Sequence, residues 1–333
     1  MSLPSSPTSS VSQFPPPRLS VVVPLYNCLP LTQAMLASLQ ATLPAGLTHE
    51  IILVDDGSTD GTREWLATLH EPPFRVLLNE RNLGFAVGNN RAAAIARGEF
   101  LALLNNDLVL QPRWLEPMLA AHAGLQGRAG LVGNVQLDAR TGAVDHAGME
   151  LSPAAKPFHL RELPPLLFRW LRPVRIVPAV TGACVLISRA LWQELGGFDE
   201  AYVNGGEDID LCYRARAAGR LTAVALRSVV RHHISSSPGR KRRDEQNSHR
   251  LARRWRAEFA ADSIRPWCRD HLARAAVEDR SREYRLAIAT VAFLSGLSRT
   301  PPPEAIDGVA QGQACEFARW EKMFPEDFRP AKI

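Results

Sequence analysis

Three acidic residues, Glu207, Asp208 and Asp210, stand within four positions of the stretch GGEDIDLCYRARAAG, residues 205–219. The spacing of the apolar residues that follow predicts that this stretch begins a helix. The dipole of a helix favours carboxylates at its N-terminus, and an ionised carboxylate at the edge of a site can act as a general base. An acidic first turn is common without any chemistry, so the catalytic interpretation depends on polar residues elsewhere in the chain.

Short apolar runs alternate with helical stretches from Arg18 to about Val135. The predicted strands are residues 19–25, 50–56, 74–80, 99–107 and 129–137. Strands separated by helices predict an α/β fold with a doubly wound, mostly parallel sheet. Ligands of such sheets bind beyond the carboxyl ends of the strands, so the residues that follow each strand are the candidates for a binding site.

Polar residues follow the first four predicted strands. They are Tyr26 and Asn27, then Asp55, Asp56, Gly57 and Ser58, then Asn79, Arg81 and Asn82, and finally Asn105, Asn106 and Asp107. Helix capping can explain one such strand end, for example at Ser58 or Asp60. Four polar ends at one edge of a sheet indicate instead a crevice for a polar ligand with ribose hydroxyls and phosphates.

The turn after the first strand, PLYNCLP, contains no glycine, and the chain contains no GxxxxGK[ST] sequence. A dinucleotide site of the GxGxxG type and a P-loop are therefore both excluded. Without a glycine-rich backbone cradle, a divalent cation is the natural partner for phosphates. Hard oxygen ligands hold such cations, which makes Asp107 the candidate ligand of Mg²⁺ or Mn²⁺.

The 333 residues can bury the core of a full domain, and 46% of them are hydrophobic. The most apolar helical run, residues 286–297, is shorter than the roughly 20 residues of a membrane span. Five scattered cysteines without a CxxC pair favour a reducing, cytoplasmic location. The Ser/Pro-rich residues 1–17 predict a disordered tail and do not resemble a secretory signal.

Two basic segments keep more than one interpretation. Residues 239–256 hold most of the +5 net charge and are either a solvated helix face or a surface for an anionic partner. Asp244 and Glu245 interrupt this run, so we expect no nucleic-acid binding of useful affinity. Phe158, Phe168 and Trp170 stand among arginines and form either an acceptor or lipid-headgroup surface or a satellite core.

The order of the motifs resembles that of a known family. The matching segments are VVVPLYN (21–27), ILVDDGSTDGT (52–62), NLGFAVGNNRA (82–92), LLNNDLVL (103–110), TGACVLISRALWQELGGFDEAY (181–202), GEDIDLCYRARAAG (206–219) and VVRHHISSS (229–237). They cover about residues 19–256 in family order. On these motifs the chain resembles the inverting family 2 glycosyltransferases, which have the nucleotide-diphospho-sugar transferase (GT-A) fold. Its nearest branch is the rhamnosyltransferase-like group.

The resemblance implies roles on the donor side of the site. A nucleotide-sugar donor would be bound by Val23, Pro24, Tyr26, Asn27, Asp55, Asp56, Asn82, Gly84, Asn89, Asn90, Asn105, Asn106 and Asp107. Asn105 stands where the family's DxD motif has its first Asp, a departure that is usual in this branch. The amide carbonyl can still bind a metal, but one negative charge is lost. The resemblance adds His232 and His233 to Asp107 as candidate metal ligands.

The resemblance also implies roles on the acceptor side. Asp208 matches the family's catalytic base, with Glu207 beside it, and Gly182, Gly206 and Trp170 are the candidate acceptor residues. An inverting transfer is one in-line displacement at the anomeric carbon. The acceptor hydroxyl loses its proton to the base while the diphosphate leaves with growing negative charge. No residue of the protein needs to act as a nucleophile.

These implications assign residues 18–137 to a nucleotide-binding half, 138–256 to an acceptor and catalytic half, and 257–333 to a helical extension. The extension packs on the catalytic domain, dimerises, or lies on a membrane. The donor is dTDP-rhamnose by branch resemblance, with UDP-sugars second, and the acceptor is a glycan or lipid-linked glycan of surface-polysaccharide assembly. The location is then cytoplasmic, with peripheral attachment at the inner membrane face and homodimer formation left open. An inactive nucleotide-sugar binder and a sugar nucleotidyltransferase remain as alternatives.

Overall fold

A computed structural model describes residues 16–233, 240–277 and 284–325. Most of the predicted N-terminal tail, residues 234–237 of the last motif, and the last eight residues lie outside these ranges. The strands are β1 Leu19–Leu25, β2 His49–Asp55, β3 Phe74–Leu78, β4 Phe100–Leu104, β5 Leu108–Leu110, β6 Ala129–Asp138, β7 Val144–His146, β8 Met149–Leu151, β9 Pro157–His159, β10 Val174–Ile176, β11 Cys184–Ser188 and β12 Leu221–His232.

Ten of these strands form one sheet in the order β10-β12-β6-β11-β4-β1-β2-β3, with β5 paired to β12 and β7 to β6. The first four long strands pair in parallel, as their helical connections require. The mostly parallel α/β sheet predicted from the sequence is therefore confirmed. The sequence patterns give no strand order: in the structure β11 lies antiparallel between β4 and β6, which separates the fourth predicted strand from the fifth.

Helices cover both faces of the sheet. They are α1 Leu29–Thr42, α2 Thr62–Leu66, α3 Phe85–Ile95, α4 Glu116–Gly124, α5 Leu166–Leu171, α6 Arg189–Leu195, α7 Glu207–Ala217, α8 Arg240–Arg254, α9 Arg256–Val277, α10 Tyr284–Ser295 and α11 Pro303–Met323. Two helix boundaries differ from those that the sequence pattern predicts, which are a helix with Pro112 in its first turn and a helix that ends at Gly98. Helix α4 begins at Glu116 and not near Pro112, because Arg113 adopts φ 64°. Helix α3 ends before Gly98, which packs against Ser20.

Alternate residues of the central strands enter two separate cores. Val22, Ile52 and Leu103 point into one core, and Val21 and Leu53 point into the other. All five side chains are completely buried, so both faces of the sheet are covered by helices. Because the sheet is closed on both faces, a ligand can reach it only at its edges and at the loops beyond the strand ends.

The C-terminal helices pack on the rest of the chain. The Ser263 hydroxyl on α9 donates a hydrogen bond to the Ser152 carbonyl beyond β8, and the Trp320 indole on α11 donates to Glu245 on α8, at 2.8 and 2.9 Å. Lys156 lies 3.1 Å from the Glu245 carboxylate and 3.0 Å from Glu316. Of the three alternatives for this extension, the structure shows packing on its own chain.

Candidate active site

The loop after β2 is built around Asp55, which is completely buried. Its carboxylate accepts hydrogen bonds from the backbone N–H groups of Gly57 and Ser58, and Arg63 Nε donates to it at 2.8 Å. Gly57 has φ 81°, and a Cβ there would lie 2.8 Å from the backbone of Arg81. Asp55 and Gly57 therefore fix the close approach of this loop to the loop after β3.

Asp56 ties the same two loops from the other side. Its carboxylate accepts hydrogen bonds from Asn79 Nδ2 and from the backbone N–H groups of Leu83 and Gly84, each 2.8 Å long. A carboxylate has about four acceptor positions, so Asp56 keeps one for a further donor. Asn82, between the anchored residues, is exposed.

The loop after β1 is tied to its neighbours in the same way. The Asn27 N–H donates to Ser58 Oγ at 2.7 Å, and Asn27 Oδ1 accepts from the Thr59 N–H at 2.8 Å. Asn106 Nδ2 donates to Thr32 Oγ1 at 2.9 Å, which fixes the end of β4 to helix α1. Tyr26 is 51% exposed at this edge, and Pro24 packs beside helix α3 at Gly88.

The two asparagines of helix α3 make contacts inside the protein. Asn90 donates two hydrogen bonds, to the Phe198 carbonyl and to Glu200, and accepts one from the Phe198 N–H, each 2.9 Å long. Asn89 donates to the Phe85 carbonyl one turn earlier and is completely buried. Asn90 therefore holds the 198–200 loop, and contact of Asn89 and Asn90 with a donor stays a prediction.

The segment Asn105-Asn106-Asp107 brings oxygen atoms to the carboxyl end of β4. The Asn105 N–H donates to the Ala183 carbonyl at 2.8 Å, and the His233 N–H donates to the Asp107 carbonyl at 3.0 Å. His232 Nε2 lies 3.1 Å from Asp107 Oδ1. The Asp107 carboxylate and the His232 imidazole therefore lie together, with Asn105 two residues earlier in the chain, and metal binding by these residues stays a prediction. For His233, the described contact is through its backbone.

These residues fit a divalent cation. Asn105 Oδ1 is buried and makes no hydrogen bond within the described residues, and Asp107 Oδ1 is buried with His232 Nε2 at 3.1 Å. No group of three or more His, Cys, Asp and Glu side chains suited to a metal occurs in residues 16–233, 240–277 and 284–325. A cation of the Mg²⁺ type is commonly held by one or two carboxylates, with substrate phosphates and water as further ligands. Asp107, with Asn105 or His232, matches that pattern.

Asp208 begins helix α7 beside the start of β11. Its Oδ2 accepts a hydrogen bond of 2.8 Å from the Gly182 N–H, and its Oδ1 accepts one of 2.8 Å from the Ile209 N–H. The residue is half-buried. Glu207, in contrast, is buried and folds back to accept from the Gly205 N–H at 2.8 Å. Of the two predicted catalytic carboxylates, Asp208 is the accessible one.

Asp107 and Asp208 are joined by a short run of contacts. Asp107 lies two residues after Asn105, whose N–H binds the Ala183 carbonyl, and the preceding Gly182 binds Asp208. A Cβ on Gly182 would lie 3.4 Å from the Asp208 side chain. The candidate metal ligand and the candidate base therefore face the same edge of the sheet.

Two histidines that the sequence analysis missed lie within electrostatic range of the candidate site residues. His159 at the end of β9 interacts electrostatically with Asp208, and His146 interacts with both His159 and His232. The two rings of His146 and His159 meet edge to face, with centroids 4.8 Å apart. Burial lowers the pKa of both histidines below the ordinary value, opposed at His159 by Asp145. Sequence motifs do not mark them, because they lie in the irregular 138–178 segment.

The two remaining candidate acceptor residues have other surroundings. Gly206 has φ 94°, and a Cβ there would lie 3.0 Å from the ring of Tyr202. The glycine therefore allows the tight turn that leads into helix α7. Trp170 lies on α5 under the guanidinium of Arg227, 3.9 Å from the ring centroid. Its indole is 59% exposed. Acceptor binding by either residue stays a prediction.

The sequence profile described as glycosyl transferase family 2 matches residues 20–195, which is more than half of the chain. The chain belongs to this family. The matched range contains the strand ends from Tyr26 to Asp107 and Gly182, and it ends before Asp208. The resemblance that the motifs indicate is confirmed.

This family 2 member is similar to several curated proteins. It is 31% identical to protein y4gI of Sinorhizobium fredii, over 74% of this chain and 28% of the relative. It is 31% identical to the O-antigen biosynthesis protein RfbC of Myxococcus xanthus, over 66% of this chain and 18% of the relative. It is 30% identical to the N-acetylglucosaminyl-diphospho-decaprenol L-rhamnosyltransferase of Mycobacterium tuberculosis, over 67% of this chain and 78% of the relative. The chain thus spans less than a third of the first two relatives.

The fold of this family 2 member is also found in a solved glycosyltransferase. The crystal structure of GalNAc-T7 with UDP, GalNAc and Mn²⁺ superimposes with a TM-score of 0.60 at 19% identity, over 73% of this chain and 50% of that one. This likeness confirms the GT-A fold. In the described part of the chain, no helix has both the length and the apolar character needed to cross a membrane.

Proposed function

We propose that this chain transfers a sugar from a nucleotide-diphosphate sugar to a hydroxyl group, with inversion at the anomeric carbon. The observation that supports this most is the pairing of Asp107 and Asp208 at one sheet edge through Asn105, Ala183 and Gly182. An inverting transfer needs a residue that holds the metal ion of the leaving diphosphate and an accessible carboxylate at the same edge of the site.

In this proposal Asp208 is the general base. The acceptor oxygen forms a bond to the anomeric carbon and transfers its proton to the Asp208 carboxylate, while the bond from the anomeric carbon to the diphosphate oxygen breaks. The Gly182 N–H holds Oδ2 of Asp208 at 2.8 Å and fixes the direction of the carboxylate. Glu207 acts as a positioning residue, because its bond to the Gly205 N–H shapes the start of α7.

Asp107 would hold a divalent cation, with Asn105 and His232 as further candidate ligands. When bound, the cation supplies positive charge to the leaving diphosphate. Because Asn105 replaces a carboxylate, we expect metal affinity to depend strongly on the phosphates of the donor. The relevant readout is therefore metal binding in the presence of a nucleotide.

The tied loops after β1, β2 and β3 would hold the nucleoside. Asp56 keeps one acceptor position for a base N–H, while the exposed Tyr26 and Asn82 are available for contacts with the base or ribose. The rhamnosyltransferase relative supports dTDP-rhamnose as the donor, with UDP-sugars as the second choice. The same relative supports a glycan or lipid-linked glycan as the acceptor.

A thermal-shift panel of nucleotide sugars, each with and without Mn²⁺, tests the proposal without knowledge of the acceptor, because a ligand of the folded state raises its stability. We expect one donor to raise the melting temperature and Mn²⁺ to enhance the shift. Without ligand, the Asp107→Asn variant should melt at the wild-type temperature. In this variant Mn²⁺ should no longer enhance the shift that the donor causes. A shift that is equal with and without Mn²⁺ in both proteins would contradict the metal site and favour an inactive nucleotide-sugar binder.

A further inference from the structure

Helix α5, Leu166–Leu171, exposes almost all of its apolar side chains. The α5 surface consists of Leu166, Leu167, Phe168, Trp170 and Leu171, which are between 56% and 69% exposed. No residue of the helix is buried. Single exposed apolar residues are ordinary, but five within six positions form a patch that marks an interaction site.

Arginines lie within and beside the α5 surface. Arg172 and Arg227 are exposed, Arg169 is half-buried, and Glu162 is the one acidic residue of segment 161–175. The guanidinium of Arg227 lies over the Trp170 ring, which connects the basic groups to the apolar ones. Apolar side chains can enter the boundary between headgroups and acyl chains, Trp lies at the headgroup level, and arginines bind anionic headgroups. The composition of the α5 surface therefore suits a bilayer that contains anionic lipids.

A second copy of the chain fits this surface less well. Self-association about a twofold axis would bring the arginines of the two copies together, and like charges oppose such contact. A stable dimer also needs about 800 Å² from each partner, which is more than a two-turn helix offers. The charge of the patch therefore favours an anionic lipid surface over a copy of itself.

We propose that the α5 surface docks the protein on a membrane that contains anionic lipids. The five apolar side chains enter the interface, and Arg169, Arg172 and Arg227 contact lipid phosphates. The link to function rests on the proposed glycosyl transfer, with a lipid-linked acceptor. Along the chain, α5 begins seven residues after His159, which interacts electrostatically with Asp208.

Vesicle co-sedimentation of the full chain tests the docking directly. The probes are phosphatidylcholine vesicles with and without about 30% phosphatidylglycerol, at low and high salt. We expect binding to the anionic vesicles that salt weakens. The Leu167→Glu/Leu171→Glu variant should bind on the order of tenfold more weakly or worse, because two exposed leucines no longer enter the interface. Both leucines are more than 60% exposed, so the variant should keep its melting temperature.

The matched control is Ile288→Glu/Leu297→Glu, which changes two residues of similar or greater exposure on and after α10. This control should bind anionic vesicles as the wild type does. Absence of wild-type binding, equal binding by the α5 variant, or equal loss in the control would each overturn the proposal. So would a wild-type dimer that the α5 variant dissociates. Vesicle binding requires neither donor nor Mn²⁺. If vesicle binding is absent while the donor still raises the melting temperature, the docking proposal is rejected and the proposed function is not.

Discussion

The proposed donor side and the proposed acceptor side of the candidate site are built differently. On the donor side, Asp55, Asp56 and Asn27 use their polar atoms to tie three loops together. On the acceptor side, the segment from β9 to α5 leaves aromatic and aliphatic side chains exposed. Under the proposed function, the tied loops form a preorganised pocket for the nucleotide, and the exposed segment acquires its partner from outside.

The same contrast appears within one turn of helix α7. Asp210 is completely buried, with Arg214 Nε at 2.7 Å, the Trp255 indole at 2.9 Å and Arg254 at 3.0 Å. Asp208, two residues earlier, is half-buried and accepts hydrogen bonds from the backbone N–H groups of Gly182 and Ile209. Asp210 therefore anchors α7 to the chain segments around it, and Asp208 is held at an open edge.

Replacement of Asp210 should have the largest effect on stability. Asp210→Ala leaves the Arg214 and Arg254 charges without their buried partner, and we expect a loss of about 3–5 kcal/mol in the free energy of unfolding. Urea denaturation measures it. Asp208→Asn, on the same turn, is the control and should cost about 1 kcal/mol, since its amide oxygen still accepts from Gly182 and only the Ile209 N–H, at a half-buried position, loses its acceptor. Equal losses would remove the distinction between the two carboxylates.

A methyl group at Gly57 tests the close approach of the donor-side loops. Gly57 and Gly46 both have positive φ, 81° and 76°, so Ala at either position costs about 1–2 kcal/mol. Only at Gly57 does the new Cβ meet backbone, at 2.8 Å, for which we expect about 1–3 kcal/mol more. Denaturation of the two variants gives the difference. If Gly57→Ala were no worse than Gly46→Ala, the loops would not be packed as described.

Asp56→Asn should have a smaller effect. The amide can no longer accept at both oxygen positions, so one of the Leu83 or Gly84 N–H groups loses its partner, at a cost of about 1–3 kcal/mol. Asp138→Asn is the control, since Asp138 also accepts from two backbone N–H groups but through one oxygen, Oδ1, which the amide oxygen can replace. Denaturation should show the smaller loss in the control. The reverse order would contradict the anchoring role of Asp56.

The sequence predicted the strands and the polar strand ends because apolar runs and local turns are encoded by neighbouring residues. It did not predict the insertion of β11 between β4 and β6, which depends on pairing over long distances. The contacts of Asn90 with Phe198 were missed for the same reason, since the partners are 108 residues apart. His159 was missed because its interaction with Asp208 arises only when the chain folds.

The central claim is that Asp208 takes the proton of the acceptor while the donor is held elsewhere. The direct test compares wild type and Asp208→Asn in two measurements on each protein, donor affinity with Mn²⁺ by calorimetry and the rate of sugar transfer. We predict a donor affinity within about twofold of wild type and a transfer rate lower by about 10²–10⁴-fold, the usual contribution of a general base. A variant that transfers sugar at nearly the wild-type rate would contradict the assignment of Asp208 as the base.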